Sequence, residues 1–219
     1  MRYFKKDFDG NLVTKAYMLG FRIGDLNVYR KSKNSETIIA RCHTTHKTQV
    51  VVMKKLFSKY GRVNISVNSK KSYHINCFLN KTFDFLIQKG VNIWNWVPNS
   101  FSTGIAFISG YTDAEGNYII NQGRARFKID SFDFDVLHWM SEWLRENSIY
   151  CKLRLLYRKD TPRYDMNKNW NNDLWRLNIN DKNSLYRFII TTQQYSIHKK
   201  RIKDAMLCKL NIEERNKYA

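Results

Sequence analysis

The chain has 219 residues, enough to bury a core and to hold one or two domains. Its formal net charge of +19 calls for a polyanionic partner or an anionic membrane surface. No apolar run approaches the roughly 18 residues that a membrane-spanning helix needs, and nucleic acid is the better partner. The opening residues, Met1-Arg2-Tyr3-Phe4-Lys5-Lys6-Asp7, hold no apolar core and no cleavage site, so the chain reads as intracellular and not secreted. The cysteines Cys42, Cys77, Cys151 and Cys208 are scattered with no CxxC, the usage of a reduced compartment with buried thiols. Cys42-His43-Thr44-Thr45-His46 lacks a second ligand cluster at finger spacing, so it does not read as a zinc site.

After a polar lead-in over 1–11, apolar periodicity predicts a helix over 12–24. Strands follow at 27–33 and 37–45, joined by a turn at Asn34-Ser35. Val50, Met53, Leu56, Phe57 and Tyr60 share a helix face, and Gly61 stops that helix. Strands at 62–68 and 72–79 alternate apolar and polar residues. Asn80 then caps a helix to Lys89, with Gly90 as its stop. This half reads αββαββα. Residues 91–100, with Pro98, form a linker, and the order then repeats. The second half has a helix ending near Glu115, strands at 117–122 and 124–130, and a helix carrying Val136, Met140, Trp143 and Leu144. A strand at 150–158, a polar insert around 159–171, a strand at 175–179 and a helix from Ser184 complete it. A basic helix over roughly 197–209 and a charged tail close the chain. The fold class is α+β, in two repeats, 1–98 and 99–219.

The strands carry one sign of charge on their polar sides. Arg124, Arg126 and Lys128 alternate with Ala125, Phe127 and Ile129; Lys152, Arg154 and Arg158 alternate with Cys151, Leu153, Leu155 and Tyr157. Arg30, Arg41, Arg62, His74, Asn76, Arg176 and Asn178 extend the pattern. A solvated face without a charged partner would mix in Asp and Glu. Arg and Asn are the side chains that read guanine and adenine edges, and a β-ribbon fits the major groove. Lys31, Lys33, Lys70, Lys71 and Lys159 are placed to meet phosphates. Two such sheets side by side would make a long basic saddle on double-stranded DNA.

Two stretches match position by position. Tyr17-Met18-Leu19-Gly20-Phe21-Arg22-Ile23-Gly24-Asp25-Leu26 answers Phe107-Ile108-Ser109-Gly110-Tyr111-Thr112-Asp113-Ala114-Glu115-Gly116. Ala16, Gly20 and Gly24 fall four apart, as do Ala106, Gly110 and Ala114, so each helix carries a face of small residues that a second backbone can approach closely. The natural partner of each seam is the other copy, with Gly20, Gly24, Gly110 and Ala114 at the interface. Asp25 and Glu115 would then emerge together at two negative helix ends, an arrangement that calls for a divalent cation, with Mg²⁺ the oxygen-preferring default. Asp113 lies two residues from Glu115, on another helix side, and reads as structural.

These residues resemble the LAGLIDADG homing endonuclease family in its single-chain, two-repeat form. ISGYTDAEG is a close match and MLGFRIGDL a looser one, with Ile23 where the signature's first acid stands. The resemblance implies two pseudo-symmetric αββαββα repeats packed through paired signature helices, antiparallel sheets forming the DNA saddle, and a monomer. It implies a metal-dependent double-strand break in a long asymmetric target. Asp25 and Glu115 would be the metal ligands. Mn²⁺ would substitute for Mg²⁺, and Ca²⁺ would support binding without cleavage. Several members place a Lys at the end of the last repeat helix; here Lys199 falls at that place, with Lys200 beside it, while Gly90-Val91-Asn92-Ile93-Trp94-Asn95-Trp96 offers none after the first repeat. Lys47 and Gln49 fall where polar active-site residues occur. The alternatives are an intron RNA maturase and a catalytically inactive DNA-binding protein on the same scaffold. The resemblance implies an organelle (mitochondrion or chloroplast) or the bacterial or phage cytoplasm as the location.

Overall fold

The computed structural model describes residues 4–87, 94–163 and 168–217. By contacts the chain divides into two compact units: residues 1–114 with 195–200, and residues 115–194 with 201–219.

In the first unit, α1 (Leu12–Asp25) begins at Asn11, whose side chain accepts from the Thr14 N–H at 2.9 Å. A cap of this kind stabilises a helix start by about 1 kcal/mol. Strands β1 (Asn27–Arg30), β2 (Ile38–Thr44), β3 (Arg62–Val67) and β4 (Tyr73–Leu79) form an antiparallel sheet in the order β1-β2-β4-β3. Helix α2 (Lys47–Phe57) covers the face carrying Ala40, Cys42, Ile75 and Cys77, and buries Val52, Met53, Leu56 and Phe57. Gly61 serves close approach rather than a helix stop: a Cβ there would lie 2.0 Å from the Phe78 carbonyl oxygen. Asn80 caps a turn over Lys81–Leu86, as expected, but that turn is 3-10 and not α. The expected end at Lys89 and Gly90, and the linker up to residue 93, lie outside the described residues.

Helix α3 (Phe101–Glu115) is buried without a break from Thr103 to Asp113. It carries no charge before Asp113, as a helix enclosed on all sides requires. Ser109 donates to the Ile105 carbonyl at 2.7 Å and Thr103 to the Val97 carbonyl at 2.7 Å, while the buried Thr112 hydroxyl has no hydrogen-bond partner among the described residues.

The second unit repeats the sheet. Strands β5 (Asn117–Asn121), β6 (Arg124–Ser131), β7 (Lys152–Tyr157) and, past a short hairpin, β10 (Leu174–Ile179) are ordered β5-β6-β10-β7. Gln122 and Gly123, at φ 51° and 68°, form the tight turn between β5 and β6. Helices α4 (Phe134–Glu146) and α5 (Lys182–Gln193) pack on this sheet; α4 buries Val136, Met140, Trp143 and Leu144. The polar insert holds a two-stranded hairpin, β8 (Pro162–Arg163) and β9 (Lys168–Asn169). The closing helix α6 runs Lys199–Asn216, through the stretch read as a tail. All four cysteines are buried free thiols. Among the described residues no helix is long and apolar enough to cross a membrane.

Candidate metal centre and nucleic-acid interface

Helices α1 and α3 touch backbone to backbone. A Cβ on Gly20 would lie 2.0 Å from the Phe107 carbonyl oxygen, and one on Gly110 would lie 2.0 Å from the Tyr17 carbonyl oxygen. Each glycine meets the other helix's main chain, so the seam read from the four-residue spacing is a real crossing. Ala16 and Ala106 are fully buried; Gly24 and Ala114 are half-buried. Five residues beyond each crossing glycine, Asp25 and Glu115 close their helices, both half-buried. The Gln49 amide, itself buried on α2, donates to Asp25 Oδ2. Burial and then the Asp25 charge push the Cys42 thiol up to about 12, so it stays protonated at neutral pH. Half-buried carboxylates are oxygen donors of the kind that suits a hard divalent cation. Among the described residues there is no cluster of three or more His, Cys, Asp or Glu that could hold a metal. Cys42 is buried in the sheet while neighbouring His43 is exposed on its other face.

Lys199 is exposed and is the first residue of α6, with exposed Lys200 beside it. The segment before it is tied to the signature helix. Asp113, 1% exposed, accepts from Ser196 Oγ, from the Ile197 N–H at 2.7 Å and from the His198 N–H at 3.0 Å. Tyr17 of α1 donates its hydroxyl to the same carboxylate at 2.6 Å. Burial, then the Asp113 charge, raises the Tyr17 hydroxyl well above its ordinary pKa, so it remains a donor. Lys47 is exposed at the start of α2.

Strand register assigns the faces. In the first sheet Asn27, Arg41, Asn76 and Asn64 form one cross-strand row, and His43, His74 and Ser66 the next. Arg41 Nε donates to Asn76 Oδ1 at 2.9 Å, and its guanidinium sits 5.3 Å from the Tyr29 ring. The His43 and His74 rings meet edge to face at 4.3 Å. Burial, then His74 and Arg41, lowers the His43 pKa, which favours the neutral imidazole. Arg62 lies on this face at the sheet edge. Arg30 does not: it pairs with Ile38, on the opposite face, and binds Asp84. Lys31 and Lys33 are exposed in the β1–β2 connection.

In the second sheet Asn117, Lys128, Asn178 and Lys152 form one row, and Asp130, Arg176 and Arg154 another; Arg124 and Arg126 share their face. Arg176 grips Asp130 with two hydrogen bonds, one at 2.6 Å, and Lys128 approaches the same carboxylate at 3.5 Å. The face therefore carries an acid, and Arg176 is engaged within the protein. A register shift opposite Leu174 and Trp175 turns β7, so Tyr157 pairs with Leu174 on the Arg154 side, and Arg158 lies past the strand end. The alternation that placed Arg158 with Arg154 fails at this bulge. Tyr157 instead stacks on Trp170 at 4.9 Å, and the Arg163 guanidinium covers Trp170 at 4.2 Å.

Structural comparison finds the same architecture in I-DmoI, described as a homing endonuclease. I-DmoI in complex with DNA and Ca superposes with a TM-score of 0.58 at 19% identity, covering 83% of this chain and 90% of that one. I-DmoI in complex with DNA and Mn gives a TM-score of 0.57 at 19% identity over 86% of this chain and 99% of that one. The N-terminal LAGLIDADG domain of DUF199/WhiA gives 0.52 at 12% identity over 84% and 83%. This chain has the LAGLIDADG fold. Neither a family model nor a curated protein matches the sequence.

Within that fold, three side chains act where sequence reading gave them little weight. Gln49 had only a loose positional argument, yet its amide reaches Asp25. Asp113 was read as structural, and its burial and partners bear that out, but nothing local pointed to residues 196–198 as those partners. Asp130 falls in register with Lys128 by simple alternation, a signal that was available and that predicts its pairing with a basic neighbour.

Proposed function

We propose that this protein is a divalent-metal-dependent, site-specific DNA endonuclease that makes a double-strand break in an asymmetric target, acting as a monomer inside the cell. The observation that carries the reading is the glycine-to-carbonyl crossing of α1 and α3, each helix ending in a carboxylate. A packing role would explain the glycines but not the matched acids. Asp25 and Glu115 would hold Mg²⁺, with Mn²⁺ as a substitute and Ca²⁺ supporting binding alone. When bound, the metal supplies charge neutralisation at phosphorus and an acidified water. Gln49, donating to Asp25 Oδ2, would help hold the carboxylate's rotamer. Lys199, with Lys200, would offer a cation to the charge that builds on phosphate oxygens.

Each polar sheet face would meet duplex DNA. Arg124, Arg126, Lys128, Lys152 and Arg154 would neutralise phosphates or read guanine. Arg41, Arg62, His74, Asn76 and Asn178 would read base edges, Arg176 would serve from its pair with Asp130, and Lys31, Lys33 and Arg158 would contact flanking phosphates. An RNA maturase role or a binding-only role uses the same scaffold, since fold alone does not assign chemistry; a matched acid on both helices favours cleavage.

The decisive experiment cleaves a randomised duplex library in Mg²⁺ and sequences the cut ends, then repeats the reaction with Asp25→Asn and Glu115→Gln. Either variant should keep its affinity for the selected site and lose double-strand cleavage. Full cleavage by either one refutes the metal assignment.

A further inference from the structure

We propose that Asp113 is the positioning residue for the Lys199–Lys200 pair, a role that rests on the endonuclease reading above. Four donors converge on its carboxylate: the Tyr17 hydroxyl, the Ser196 hydroxyl and the backbone N–H groups of Ile197 and His198. Three of them meet Oδ2 and the Ser196 hydroxyl meets Oδ1, so both oxygens of a carboxylate buried to 1% exposure are held by hydrogen bonds. Two of the donors are the backbone amides immediately before α6, so Asp113 supplies from another helix the negative charge that a helix start favours.

The local sequence makes that supply necessary. The first turn of α6 contains no acid and opens Lys199-Lys200-Arg201, three cations against the positive end of the helix dipole. A helix start selected only for stability would not carry them, and breaches of local rules gather at functional sites. The two signature copies point the same way. Where α3 has Asp113, α1 has Ile23; where the second repeat is followed by Lys199 and Lys200, the stretch Gly90–Trp96 after the first holds no lysine. Tether and cations occur together in one half and are both missing from the other. Asp113 thus fixes where the lysines stand without touching DNA itself.

The test is a double-mutant cycle on supercoiled plasmid carrying the selected site, at saturating protein. Asp113→Asn keeps the side-chain volume but turns an amide NH₂ toward the converging donors. It should slow one of the two strand cuts by about 100-fold, the cost typical of an ångström-scale misplacement. Nicked plasmid should accumulate, with DNA affinity within about twofold of the parent. In a Lys199→Met/Lys200→Met background, Asp113→Asn should slow that cut no further. Independent, multiplying effects, or equal slowing of both strands, would overturn the proposal and leave Asp113 as a packing group. If Asp113→Asn does not fold, Ser196→Ala removes one donor and keeps the carboxylate; it should slow the same strand with an unchanged Tm, and no strand bias would overturn the role. If the double lysine variant cuts both strands at the parental rate, Asp113 has nothing to position and the proposal falls. The endonuclease reading is judged separately, by Asp25→Asn.

Discussion

The two four-stranded sheets share one strand order and differ in what they show to solvent. In the first, the polar face is built from amides and imidazoles: Asn27, Asn64, Asn76, His43 and His74, with Arg41 held by Asn76 and Arg62 at the edge. In the second, the face holds Arg124, Arg126, Lys128, Lys152, Arg154 and Arg176, with Asp130 the acid among them. The buried sides are interchangeable in kind, Ala40, Ile75 and Cys77 answering Phe127, Ile129 and Leu177. Topology follows from the apolar alternation, which both repeats keep. The exposed alternation is left to diverge. One sheet presents amides and imidazoles prearranged by hydrogen bonds and the other mostly cations; on the proposed reading the first would suit base readout and the second phosphate attraction.

The largest expected effect tests whether the repeats are equivalent where they cross. Gly20→Ala and Gly110→Ala each place a methyl 2.0 Å from a carbonyl oxygen on the other helix, and backbone on both sides leaves little to give. Each should cost about 3 kcal/mol, at the upper end of ordinary overpacking, and lower Tm by roughly 6–12 °C. Thermal melts of both variants check this; a fall confined to one would break the equivalence.

The next effect sharpens the contrast between faces. Arg124→Ala, Arg126→Ala and Lys152→Ala together should flatten the slope of log K against log salt by up to about 0.9 per lost phosphate contact. Arg41→Ala with Asn76→Ala should move that slope little and instead cost about 1–3 kcal/mol of discrimination at the bases they read. Binding titrations across salt, on matched and mismatched duplexes, separate the two. If the first-sheet variant loses slope and keeps its discrimination, the division of labour is wrong.

The smallest effect concerns the second sheet's acid. Burial raises the Asp130 pKa, but the hydrogen bonds and charge of Arg176, with Lys128 behind them, outweigh it and hold it below the ordinary carboxylate range. A depressed folded-state pKa adds stability above the unfolded value, about 3.9, and that stability is lost as pH falls through the folded value. Acid titration of Tm should therefore show an Asp130 contribution fading below about pH 4. Asp130→Asn should remove it and strengthen DNA binding by releasing Arg176. Unchanged acid sensitivity in that variant would show the pair to be too solvated to matter.

Much of this was legible in the chain. Four-residue spacing of small side chains on two matched segments is a direct statement about a helix crossing, because only Gly and Ala permit main-chain contact. The strand pairs were legible because alternation has a period of two, and the repeat order because it occurs twice. What sequence could not supply were events that depend on register or on distant neighbours. The β7 bulge shifts the face of Tyr157 by one residue, and alternation carries no mark of an inserted residue. Arg30 sits on the face opposite Arg41 because it lies an odd number of residues from Asn27, which pairs with Arg41. Asp113 reaches residues 83 to 85 positions away, and a carboxylate's partners are set by what the fold brings to it and not by what precedes it in the chain. Local spacing determined the elements and their seams, because steric and solvation rules act over a few residues. The tertiary structure decided which polar groups are engaged and which remain to meet a ligand, because each such group is satisfied by chain that is remote in sequence.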